Sequence, residues 1–143
     1  AKVLAHCASV GWFDERFYVY RMGHPYAQTS HRLAPSSVID LEKILRENLT
    51  LAETLPGDRC AALKAFLAYP FIVWVGQASA LKLLKEHDVA RRELLSQLGP
   101  VTGFSRDSTA RAVSIACRVL GARNTARLLG LAFRRKHPQH TAA

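Results

Sequence analysis

The 143 residues contain no Walker loop, no GxGxxG turn and no GxSxG elbow. Those absences remove the P-loop, dinucleotide-fold and serine-hydrolase chemistries that the motifs carry. Tight ligand pairs such as CxxC or HxxxH are missing too, so His6, Cys7, His24 and His31 do not read as a zinc site. Cysteine is scarce: Cys7, Cys60 and Cys117 are odd in number and widely spaced. That pattern argues against a disulfide framework and fits a reducing compartment. Cys60 and Cys117 sit among Ala and Ile in helical patterns, so both read as small buried hydrophobes rather than nucleophiles. There is no initiator Met and no signal peptide, and residues 2–7 read as the end of a helix. The expectation is a piece of a longer polypeptide.

Hydrophobic residues make up 49% of the chain, which is too many for a disordered segment. The net charge of +9 is unevenly spread. Arg106, Arg111, Arg118, Arg123, Arg127, Arg134, Arg135 and Lys136 face only Asp107 in the last 38 residues, so seven of the nine net charges lie there. A basic C-terminal region suits phosphates of a nucleic acid or of anionic lipid. Residues 65–81 hold no charge for 17 residues. A membrane span wants about 20 apolar residues, and Pro70, Gly76, Gln77 and Ser79 interrupt this run. A buried central helix is the better reading.

Two hydrophobic periods divide the chain. Residues 12–21, WFDERFYVYR, alternate with period two and predict one strand, stopped by Gly23 and Pro25. Residues 22–35 then read as a loop, with Pro35 as its last stop. From Ser37 onward the period is about 3.6. Ser37 predicts a cap for a helix carrying Val38, Leu41, Ile44, Leu45 and Leu49, and Pro56-Gly57 marks a turn. Asp58 predicts the cap of a second helix running towards His87, kinked or divided at Pro70. Asp88 predicts the cap of a short third helix closed by Gly99-Pro100. Ser105 or Ser108 opens a fourth, ended by Gly121, and Asn124 or Thr125 opens a fifth, ended before Pro138. The fold class is therefore mainly α: one short N-terminal strand, then a bundle of four to five helices. A lone strand leaves its backbone groups unpaired, so its exposed edge predicts pairing with itself in a second chain.

The segment VGWFDERFYVYRMGHPYAQTS, followed by VIDLEKIL at 38–45, resembles the end of the catalytic domain of bacterial family 2 glycosyltransferases, which have the GT-A fold. In that family a helix, an xGxxDexxYxYR strand and an xGxxxQSxS-like loop commonly precede a helical region opening on a dLxKxL segment. The resemblance covers residues 3–46. It implies that 1–35 end a GT-A-like domain and that 36–143 form a helical C-terminal region with a basic tail. It further implies that Arg21, His24, Gln28, Thr29 and Ser30 close over the diphosphate of a nucleotide-sugar donor, Arg21 through a charge-assisted bond. His31 is a second candidate to neutralise the leaving nucleotide. The reading from residues alone also stands: a strand-terminal Arg in a surface ion pair beside a polar solvated loop. Asp14 and Glu15 read as solvating a turn rather than as an acid–base pair.

The family's DxD metal site and its ED motif with the catalytic base do not occur in residues 1–143. A GT-A enzyme needs those carboxylates to hold a divalent cation and to activate the acceptor. The cation belongs to a full-length enzyme, and this segment alone is expected to be inactive. The implied location is cytoplasmic, peripheral at the inner face of the membrane.

The C-terminal helix carries a second signal. At 100° per residue, Leu128, Leu129, Leu131, Ala132 and Phe133 fall on one arc, with Arg123, Arg127 and Arg134 opposite. Three uses stay open: a core-packed helix with a solvated arginine face, an anionic membrane surface, or nucleic acid. Against the last, Phe133 is the single aromatic of residues 106–143, too few for a stacking platform. The rival to a glycosyltransferase segment is a small basic helical protein that binds an anionic partner without catalysis.

Overall fold

The computed structural model describes residues 35–85 and 88–136. These form five helices, and no strand occurs among the described residues. The expected strand 12–21 and loop residues Arg21, His24, Gln28, Thr29, Ser30 and His31 lie outside them.

Helix α1, Pro35–Glu53, begins two residues before the expected Ser37 cap. Pro35 opens the helix instead of ending the loop, because its fixed φ suits a first turn whose N–H groups lack partners anyway. Val38, Leu45 and Ala52 are buried seven residues apart, with Leu41 and Leu49 half-buried beside them. That narrow stripe packs α1 against α2, Gly57–Ala80. Between them the Pro56-Gly57 turn lies where expected. Asp58 proves not to be the cap of α2: Pro56 precedes the helix, and Asp58 sits in its first turn, complementing the helix dipole.

Helix α2 is the central element, in contact with α1, with α4 (Leu98–Thr102) and with α5 (Ser108–Lys136). Phe71 and Trp74 are fully buried and meet edge to face, with ring centroids 5.7 Å apart. Each such burial is worth about 1.5–3 kcal/mol. The charge-free run is therefore core, as expected. By length and composition α2 is also the one helix, among the described residues, able to cross a membrane, and half of that window is buried inside the bundle. Pro70 does not divide it: the helix runs through as one 24-residue element, although Pro70 has no N–H to give to a preceding carbonyl.

Helix α2 stops at Ala80, not near His87. Lys82 takes a left-handed φ of 56°. Leu83 N–H then returns to the Ala78 carbonyl at 2.8 Å and Lys82 N–H to Ser79 at 3.1 Å, the bonding of a Schellman stop. Asp88 caps α3, Val89–Ser96, accepting from Arg91 N–H at 3.0 Å as expected. Gly99-Pro100 does not close that helix but lies inside the one-turn α4. Asp107, rather than Ser105 or Ser108, caps α5, accepting from the N–H groups of Thr109 and Ala110 at 2.9 and 3.0 Å.

Gly121 (φ 78°, ψ 156°) breaks α5 into two parts, at the residue where the sequence predicts an end. The second part crosses α2 on small residues. A Cβ at Gly130 would fall on the Ser79 hydroxyl and lie 2.8 Å from the Ser79 Cβ, and a Cβ at Gly76 would fall on the Phe133 ring. Ala126 and Gly130 are buried beside Ser79 here, and Thr125 is buried nearer the Gly121 break, bonded to the Gly121 carbonyl.

Candidate functional site

The α2 stop, α3 and the second part of α5 enclose a cleft of ≈ 620 Å³. Lys82 and Lys85 come from the turn after α2, Arg91 and Arg92 from α3, and Arg123 and Arg127 from α5. Ser79, Leu84, Leu95 and Ala126 also line it, and among the described residues the lining contains six cations and no carboxylate. Each backbone device described above serves this convergence. The Schellman stop turns Lys82 and Lys85 off the helix axis, Asp88 fixes the start of α3, and the Gly121 break directs Arg123 and Arg127 back across α2.

Arg91 is held from three sides. Its Nε donates to Glu42 Oε2 at 2.8 Å and its Nη1 to the Leu83 carbonyl at 3.1 Å, with Asp88 Oδ2 3.6 Å away. Arg46 donates to the other Glu42 oxygen at 2.9 Å. The network ties α1 to the α2–α3 turn and gives Arg91 one orientation at the cleft wall.

The three arginines expected at an anionic surface part company. Arg123 and Arg127 line the cleft and are exposed. Arg134 is half-buried and donates through Nε to the Ala80 carbonyl at 3.0 Å and through Nη2 to Ser79 at 3.4 Å. It thus satisfies the Ala80 carbonyl, which the end of α2 leaves open, and adds a second donor to the Ser79 carbonyl already bonded by Lys82 N–H. The expected apolar arc is split as well. Leu129 and Phe133 turn towards α2, whereas Leu128 and Leu131 are 53% and 54% exposed.

Cys60 and Cys117 are half-buried rather than buried. Burial raises the Cys117 thiol pKa, and a hydrogen bond with Thr125 partly opposes the shift. A thiol held protonated is a poor nucleophile. No cluster of His, Cys, Asp or Glu suited to a metal occurs among the described residues. A second cavity, ≈ 630 Å³, opens between α4 and α5 beside Phe104 and Cys117, and among the described residues Arg118 is the one charged residue lining it. The two cavities differ in charge, not in size.

Sequence reasoning missed Lys82, Lys85, Arg91 and Arg92. Along the chain they alternate with Glu86, Asp88 and Glu93, so no basic run advertises them. No family model, curated protein or solved structure matches the chain.

Proposed function

We propose that this chain is the C-terminal part of a family 2 glycosyltransferase, and that its helical region is a non-catalytic module docking on an anionic membrane surface. The glycosyltransferase half of the proposal rests on the resemblance of residues 3–46. The docking half rests on one observation: Leu128 and Leu131 stand exposed on the same outer face of α5 as Arg135, with Arg127 at the edge that this face shares with the cleft. Residues three and four apart are neighbours on a helix, so two leucines lie among two arginines. Such a face enters the boundary between headgroups and acyl chains while its cations stay at the phosphates.

Each arginine near an anionic surface contributes about 1 kcal/mol. Covering the exposed half of a leucine adds about 1 kcal/mol. Two of each supply roughly 4 kcal/mol, a millimolar attraction. Binding is therefore weak and salt-dependent, decaying over a Debye length of about 8–10 Å. In the whole enzyme it would orient the catalytic domain towards a membrane acceptor rather than anchor it alone.

Co-sedimentation with phosphatidylglycerol vesicles at low salt tests the docking. Leu128→Gln with Leu131→Gln removes about 2 kcal/mol, a loss of binding of roughly 30-fold, without disturbing the fold, since both side chains are more than half exposed. Equal binding of the variant refutes the reading, and preference for DNA over vesicles favours the non-catalytic nucleic-acid alternative. The enzymatic half is tested with UDP- and GDP-sugars plus Mg²⁺ or Mn²⁺. No nucleotide release is expected from this chain alone, and release abolished by Asp14→Asn overturns it.

A further inference from the structure

We propose that the cleft between the α2–α3 turn, α3 and α5 is a binding site for a small anion carrying two or more phosphate groups. This goes beyond membrane docking, which uses the outer face of α5 and shares only Arg127 with the cleft. The cleft volume, ≈ 620 Å³, lies within the range of about 300–1,000 Å³ usual for small-molecule sites. Its charge selects the ligand class. Six cations from three separate elements line it, with no carboxylate among the described lining residues. Arg91 is answered by Glu42 and Asp88, and Arg92 and Arg123 make contacts of their own, which leaves Lys82, Lys85 and Arg127 for a ligand. A phosphate monoester carries about −1.5 to −2 at neutral pH, so two phosphates match these three cations where one does not. The neighbouring cavity of equal size, with Arg118 alone, lacks this character.

Among the described residues the lining also contains no aromatic, so these offer nothing for a nucleobase to stack on. Leu84, Leu95 and Ala126 give an apolar floor, which strengthens charge interactions by excluding water. Arg91 is already oriented by Glu42, Asp88 and the Leu83 carbonyl, so its order is not lost from the binding energy.

Lys82 supplies an independent observation. It occupies the left-handed position of a helix stop, with φ 56°, where glycine is the usual residue because it has no Cβ to clash. A lysine here strains the backbone, and its side chain lines the cleft. Strain at a cleft wall is the mark of a residue kept for its side chain.

Isothermal titration calorimetry on the full chain tests the site with sodium pyrophosphate, tripolyphosphate and sulfate at fixed ionic strength. Tripolyphosphate and pyrophosphate bind at least tenfold more tightly than sulfate. Lys82→Gly raises the melting temperature, because glycine fits the turn, yet weakens pyrophosphate binding at least threefold. Lys85→Gln weakens it similarly, whereas Arg118→Gln, in the other cavity, leaves it unchanged. A merely structural lysine would give the rise in melting temperature without the loss of binding.

The source of the phosphates is read from vesicles. Capture by diacylglycerol pyrophosphate vesicles over phosphatidylglycerol vesicles of matched charge assigns a lipid headgroup. Pyrophosphate binding without that preference assigns a soluble anion. The Leu128→Gln, Leu131→Gln variant keeps pyrophosphate binding, so failure of membrane docking and failure of this site are told apart. Equal affinity for sulfate and pyrophosphate, or unchanged binding by both lysine variants, overturns the proposal.

Discussion

Replacing Gly130 by alanine sets two opposite effects against each other. Alanine is the better helix former by about 0.8–1.0 kcal/mol, so an exposed glycine in α5 would gain stability. Gly130 is buried at the α2 crossing, however. Its new Cβ would lie 2.8 Å from the Ser79 Cβ and 3.1 Å from the Ala80 backbone nitrogen, as well as on the Ser79 hydroxyl. The hydroxyl can rotate away, but the Cβ and the backbone cannot. The helices must separate, which draws Phe133 off Gly76 and lengthens the Arg134 bonds to the end of α2. Overpacking of this kind costs about 1–3 kcal/mol, so after the propensity gain the net expectation is a loss of up to about 2 kcal/mol. For a domain of this size that lowers the melting temperature by roughly 4–8 °C per kcal/mol. Thermal melts followed by circular dichroism measure it. The double variant with Ser79→Gly removes the facing Cβ and should recover part of the loss, giving a coupling between the sites. A Gly130→Ala protein more stable than wild type by about 1 kcal/mol would mean that α2 and α5 do not touch here.

Gly121→Ala should cost about 1–3 kcal/mol from backbone strain alone, since nothing lies within 4 Å of the new Cβ; urea unfolding checks it, with Gly57→Ala as the unstrained, equally open control. Lys82→Gly should stabilise by about 1 kcal/mol by relieving the left-handed turn, read in the same unfolding assay. The raised Cys117 pKa makes its stabilising contribution complete below the unfolded thiol value of about 8.5 and lost as pH rises through the higher folded value. The stability difference between wild type and Cys117→Ala should therefore shrink at alkaline pH, and a difference that stays constant from pH 7 to 11 refutes the burial argument.

Helical period, the Asp88 cap and the charge-free core run were legible because each depends on neighbours along the chain. A helix boundary is harder to read, because competing local groups decide it. Pro35 opens α1 ahead of Ser37, and Asp107 takes the cap of α5 between two serines. The end of α2 was missed because the Schellman stop rests on Lys82, whose type gives no warning of a left-handed turn.

By itself the sequence determined a helical region built around residues 65–81, a break at Gly121 and a basic C-terminal third. Tertiary structure alone decided which side of α5 is buried and which cations meet. A helical wheel fixes the angles between residues but not the line along which two helices touch. That line is set by Gly76, Ser79 and Ala80 on α2 against Ala126, Gly130 and Phe133 on α5, where backbones approach most closely. It turns the buried side roughly a quarter-turn away from the centre of the leucine arc. Leu128 and Leu131 are thereby left outside, Arg134 is drawn to the end of α2, and Arg123 and Arg127 face lysines some 40 residues earlier in the chain.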